Sequence, residues 1–413
     1  MKEKSSRIFV GDFLCFIFIF IFLFGIKVEY FDSSIFVPLI IVFMISGGVI
    51  KLDGRSIMVA VMISILLIYQ TIIQLIGSTS DLDSILRLLR ASLTCVIMAI
   101  FIGSVPFSAA QILRTLFFAL LVHAILIISA TMVESINISL SHFSGNERIL
   151  PAKSSGLLAG YDIAGLFCVI GCLMLSFKIY RPRGIFTFIV FNIIFGLGCF
   201  FTSRLSIALF VMFFVSINFL NLIKSKIKIL SKVMIFVVSF VIIGFILFKY
   251  IVPIIDVTFS LDLVPVSDDL YNKIVSNNAV QSPDQFLWAY MFFLPNDIFS
   301  SIFGTGVEAL QSDVGYVKDI FRYGFIGVLY SLFIYGYLYC RARVALALPK
   351  SENYSKFLAV VFILILVMTF KNNYIFTRGM FPLIVLVASV PLFMIKKYNS
   401  SACFESSTVN GCM

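Results

Sequence analysis

Ile8-Phe9-Val10-Gly11-Asp12-Phe13-Leu14-Cys15-Phe16-Ile17-Phe18-Ile19-Phe20-Ile21-Phe22-Leu23-Phe24-Gly25-Ile26 opens the chain with one polar side chain in a run of Phe and Ile. About 20 mostly apolar residues suffice for a helix to cross a bilayer. The run is too long for a signal peptide, and no small-x-small cleavage site follows it, so it is expected to stay as a span. Working outward, the same texture fills the 413 residues: 61% are hydrophobic, 15% aromatic and only 13% charged. Mean hydropathy is +1.08. A soluble domain has roughly 45–50% apolar and about 25% charged residues. The composition therefore predicts an all-α polytopic membrane protein and excludes disorder, collagen-like repeats and disulfide scaffolds.

Reading on for such stretches predicts about twelve spans. They fall roughly at 8–26, 34–50, 56–76, 91–107, 112–133, 157–179, 184–202, 204–222, 233–252, 317–339, 357–375 and 379–395. Net charge is +10, from 31 Lys and Arg against 21 Asp and Glu. Nucleic acid would be a candidate partner for a soluble chain so basic; here most of the excess falls in alternate loops, as for cytoplasmic loops of membrane proteins. The clearest marker is Lys224-Ser225-Lys226-Ile227-Lys228. Both termini are then expected inside, with 396–413 as a cytoplasmic tail. None of the eight cysteines falls in an outer loop, which fits free thiols rather than disulfides.

Most connections are short. The exception, 253–316, is expected on the outer side between spans 1–252 and spans 317–395. Four prolines divide it, and Asp284 to Leu294 reads as a short apolar helix, too short to span, that lies in the interface or re-enters. So long and so apolar a loop predicts a folded cap over an outward-facing cavity. A second outer loop is expected at 134–156. No internal repeat is evident, which counts against inverted-repeat transporters. P-loop, dinucleotide and zinc-protease signatures are missing, and neither cofactor nor metal is expected.

An ionisable group at membrane depth costs about 2.5–3.5 kcal/mol and usually serves a path or a site. Several basic residues oppose the inside bias: Lys153, Arg204 within Thr202-Ser203-Arg204-Leu205-Ser206, Lys318, Arg322 and Arg378. Their convergence would make an anion site, since the guanidinium fork matches phosphate with paired donors. Among acids, Asp162 lies in the apolar sixth span and Asp313 follows Phe303-Gly304-Thr305-Gly306. Either could also be a helix cap or a salt-bridge partner.

Three segments carry a resemblance. Lys153-Ser154-Ser155-Gly156 through Gly165, Thr202 to Ser206, and Phe303 to Gly306 with Ser312 to Tyr316 and Gly324 to Gly327 are similar to segments of the Wzy-type O-antigen polymerases, in the O-antigen polymerase and ligase superfamily. The sequence departs from the family with Lys153 where Arg is usual and Asp162 where Asn is common. It also lacks the ligases' histidine between 253 and 316. The resemblance implies a C-type glycosyltransferase-like fold in the bacterial inner membrane, with the long loop periplasmic. The implied substrates are undecaprenyl-pyrophosphate-linked oligosaccharides, joined into surface polysaccharide with release of undecaprenyl pyrophosphate. A chain-length regulator and a flippase are the implied partners. On this expectation Arg204 and Arg322 hold the pyrophosphate, helped by Lys153, Arg378 and Lys318, and Asp313 or Asp162 activates the acceptor hydroxyl. The competing expectations are a lipid-linked oligosaccharide flippase and an O-antigen ligase.

Overall fold

The structure, a computed structural model, describes residues 2–28, 31–145, 150, 153–223, 292–295, 297–309, 312, 314–347 and 351–409. The expected span 233–252 and about two thirds of the expected loop 253–316, residues 253–291 and Asp313 included, lie outside the described residues.

Helix starts follow one local rule. Asp32, Asp53, Asp81 and Asp297 each precede a helix and accept the backbone N–H of a serine two or three residues on. The N···O distances are 3.0 Å to Ser34, 2.9 Å to Ser56, 3.0 Å to Ser84 and 2.7 Å to Ser300. Each cap satisfies donors that the first turn leaves without an intrahelical acceptor. Ser108 and Gln111 cap reciprocally, with Ser108 N–H on Gln111 Oε1 at 3.0 Å and Gln111 N–H on Ser108 Oγ at 3.2 Å.

The protein is a helical membrane protein whose chain divides into two compact units. The first comprises Met1–Ala119 with Phe286–Met413, and the second Leu120–Gln285. In the first unit, α1 (Lys2–Phe24) leads through the paired two-residue strands β1 (Lys27–Val28) and β2 (Phe31–Asp32) into α2 (Ser33–Ile45). The helices α3 (Gly54–Ile76) and α4 (Leu82–Ser104) pack against each other, and α5 (Ala109–Met132) runs through the unit boundary. Span four was expected from residue 91; α4 starts at Leu82 because Asp81 caps it, which puts Arg87 and Arg90 on its first turns.

Four helices are long and apolar enough to cross a membrane among the described residues: α3, α4, α5 and Gly315–Leu346. On α3, Ile65, Ile68, Ile72 and Leu75 form a stripe at helical spacing that is 49–74% exposed. Such a stripe suits hydrocarbon and would be costly in water.

The second unit contains α6 (Glu134–Ser144), which occupies much of the loop expected at 134–156. After it come α7 (Tyr161–Ser176), α8 (Ile185–Phe200) and α9 (Arg204–Ile223). Glycines set their spacing: a Cβ on Gly171 would meet the Phe195 ring at 2.3 Å, and one on Gly198 would meet Cys168 Sγ at 2.7 Å. Small residues at crossings let apolar helices associate without a hydrophobic drive.

The first unit closes with α10 (Ile298–Phe303), α11 (Gly315–Leu346), α12 (Glu352–Met368) and α13 (Met380–Val409), the last continuing through the first part of the expected 396–413 tail. Leu383 to Ala388 of α13 are all at most 2% exposed, so this stretch of the helix is apolar and covered on every face. Within α11, Gly324 has φ 65° and ψ 179°, which breaks the helix after Tyr323.

Candidate functional site

In the second unit, two of the sequence-singled segments lie against each other. The chain before α7 turns so that Ser154 N–H donates to the Phe201 carbonyl at 3.0 Å, and Asn137 Nδ2 donates to the Lys153 carbonyl at 3.0 Å. Gly165 on α7 meets the start of α9 so closely that a Cβ there would lie 1.9 Å from Ser206 Oγ and 2.5 Å from Thr202 Oγ1. Ser203 caps α9, its Oγ accepting the Ser206 N–H at 3.2 Å and lying 2.7 Å from Ser206 Oγ.

Ser154, Ser155, Thr202, Ser203 and Ser206 are all buried, while Arg204 at the head of α9 is exposed and Lys153 half-buried. Asp162 stands half-buried on the first turn of α7. A cation on the first turn of a helix opposes the helix dipole by about 0.3–1 kcal/mol. The buried hydroxyls build the turn, and the cations edge it.

The third sequence segment builds a different constellation in the first unit. The break at Gly324 frees carbonyls in the first part of α11, and the Gly304–Gly306 turn reclaims them. Thr305 donates to the Phe321 carbonyl from its N–H at 2.6 Å and from Oγ1 at 3.0 Å. The Tyr69 hydroxyl reaches the carbonyls of Phe303 at 3.0 Å and Tyr323 at 3.2 Å. Gln70 and Gln74 both donate to the Gly306 carbonyl, at 2.9 Å and 3.0 Å.

Arg322 sits within this knot, 0% exposed. Its Nη2 pairs with Glu308, while Nε lies 3.8 Å from Asp81 and Nη1 lies 3.8 Å from Asp319. Lys318 Nζ pairs with the other Glu308 oxygen at 2.9 Å. Asn373 donates from Nδ2 to Asp319, and Arg87 adds a positive charge close to Asp319 and Arg322. Beside α2 and α4, Asp32 holds Arg90 at 2.8 Å and Arg378 at 3.8 Å. Burial pulls the Arg378 guanidinium below its ordinary range; Asp32 opposes that shift and Arg90 adds to it. These charges lie at or just before the starts of α2, α4, α11 and α13, so they share one end of the first unit.

The residues named from sequence thus divide between the units. Lys153, Asp162 and Arg204 come from segments the second unit packs together. Arg322 and Lys318 share Glu308 in the first unit, where Arg378 pairs with Asp32. Arg322 turns its donors to carboxylates rather than to an opening. Sequence reading missed Asp32, Asp81 and Asp319 as partners, although Asp-x-x-Ser before an apolar run signals a cap and Asp319 stands one helical turn before Arg322.

At the opposite end of α11, Arg341 is 7% exposed and donates to Ser56 Oγ at 3.1 Å and Ser389 Oγ at 3.4 Å. Among the described residues no group of three or more His, Cys, Asp or Glu side chains is placed to hold a metal ion. No protein-family model matches the sequence, and no curated protein matches it at a significant level.

Proposed function

We propose that the chain is a Wzy-type polymerase of lipid-linked oligosaccharides, acting from about twelve spans in a bacterial inner membrane with both termini cytoplasmic. One observation carries the reading: Lys153–Gly165 and Thr202–Ser206, the segments that resemble the polymerases, pack into one structure with Arg204 at its exposed edge.

The chemistry follows from a good leaving group. A hydroxyl oxygen of one repeat unit attacks the anomeric carbon of the growing chain. The bond from that carbon to the undecaprenyl pyrophosphate oxygen breaks, and the electron pair leaves with the diphosphate. The hydroxyl proton passes to a carboxylate, for which Asp162, on the first turn of α7 in the same unit, is the candidate. Arg204 and Lys153 grip the diphosphate as its charge grows; one such preorganised donor is worth about 10²–10³ in rate. Arg322, Lys318 and Arg378 are paired with carboxylates in the first unit and hold its turns together.

The test is a surface-polysaccharide gel from cells lacking this chain and complemented with variants. Deletion leaves one repeat unit per core, and Arg204→Ala reproduces that pattern with the protein still inserted. Arg204→Lys shortens chains partially, because Lys keeps the charge and loses the fork. A normal ladder from Arg204→Ala removes the assignment. Loss of all repeats on deletion points instead to a flippase or a ligase.

A further inference from the structure

The second unit carries another cationic feature where α7 ends and α8 begins. There, an open cavity of about 390 Å³ is lined by residues that include Ser176, Lys178, Tyr180, Arg181, Gly184 and Ile185. We infer that this cavity binds the phosphate of an anionic lipid headgroup, with the acyl chains running along the exposed face of α8.

Three features argue for a phosphate. α8 begins at Gly184 with no side chain capping it, so its first N–H groups point outward without an intrahelical acceptor. Arg181 and Arg183 precede that same end, against the helix dipole unless an anion lies between them. Ser176, 7% exposed and lining the cavity, has a buried Oγ with no hydrogen-bond partner among the described residues. An isolated buried hydroxyl is costly, and a phosphate oxygen or its hydration would satisfy it.

The backbone holds Lys178 in an unfavourable place. α7 ends with Lys178 N–H on the Leu175 carbonyl at 3.0 Å and Ile179 N–H on the Met174 carbonyl at 2.9 Å, the Schellman pattern. The residue between those bonds takes φ 57°, where glycine is the usual choice. Here the place is given to a cation at the cavity.

A lipid is favoured over a free phosphate by what adjoins the cavity. Ile185 and Phe186 are 80% and 76% exposed, and Ile189 and Ile193 continue the same apolar face. Basic pockets at the end of apolar helices suit anionic headgroups.

The experiment uses the full chain, purified in mild detergent and partly delipidated, with native mass spectrometry of added phosphatidylglycerol against phosphatidylcholine. Phosphatidylglycerol is expected to be retained selectively. Each cation removed lowers its occupancy-derived affinity about fivefold, so Lys178→Gly with Arg181→Gln lowers it about 25-fold. Lys178→Gly places glycine at the positive φ, so thermal stability holds or rises while binding falls. Equal retention of the two lipids overturns the site, as does unchanged phosphatidylglycerol binding in the double variant. Displacement of the lipid by millimolar inorganic phosphate overturns the choice of lipid as its occupant.

Discussion

Arg322 shows how a buried charge is made tolerable. A guanidinium without water must find anions, and three carboxylates from three separate stretches supply them: Asp81, Glu308 and Asp319. Removing one partner of such a group leaves the others unpaired, which costs about 3 kcal/mol or more. Arg322→Ala is therefore expected to lower the apparent melting temperature of the purified protein by several degrees, read by intrinsic fluorescence. Arg322→Met with Glu308→Gln should recover part of that loss, since fewer bare carboxylates remain. Equal losses in the two variants would show that side-chain packing, not charge pairing, holds this knot. Arg204 differs in kind: it is exposed at the head of its helix, so Arg204→Ala is expected to leave stability nearly unchanged while altering activity.

At the scale of elements, the break in α11 decides the local architecture. Gly324 has φ 65°, and a Cβ there would lie 2.2 Å from the Ile302 carbonyl oxygen. Gly324→Ala is thus expected to cost at least about 1–3 kcal/mol from backbone strain and to loosen the Gly304–Gly306 turn. Hydrogen exchange at Thr305, whose N–H is held by the Phe321 carbonyl, should quicken; unchanged protection there would contradict the role given to the break. The longer apolar helices were legible in the sequence, because apolar runs of membrane length admit few other readings, whereas α6 lies in a stretch expected as a loop. The starts at Asp53 and Asp81 were legible in principle, since the capping side chain adjoins the helix it begins. Gly324 was not, because Gly324-Phe325-Ile326-Gly327 reads as a helix with small residues until Ile302 and Gly304 are placed against it. The site was readable in part. Lys153 and Arg204 stood out as basic residues against the inside bias. The pairings of Arg322 with Asp81 and of Arg90 with Asp32 join residues distant in sequence, and no local pattern announces them.

Among the described residues, charge is concentrated at helix ends and the exposed apolar faces suit a membrane. In the first unit the charges neutralise one another within a knot of turns. In the second they edge a turn of buried hydroxyls at the head of α9, and a cavity at the head of α8. The proposal that cations at Arg204 serve glycosyl transfer from a lipid diphosphate makes a demand on the purified protein alone. The most direct measurement is reconstitution in liposomes with undecaprenyl-pyrophosphate-linked repeat units, following chain length and released undecaprenyl pyrophosphate together. The account predicts lengthening glycans with one lipid diphosphate released per linkage, and a loss of about 10²-fold or more with Arg204→Ala. Substrate that crosses the bilayer without growing, or growth that Arg204→Ala leaves untouched, would contradict it.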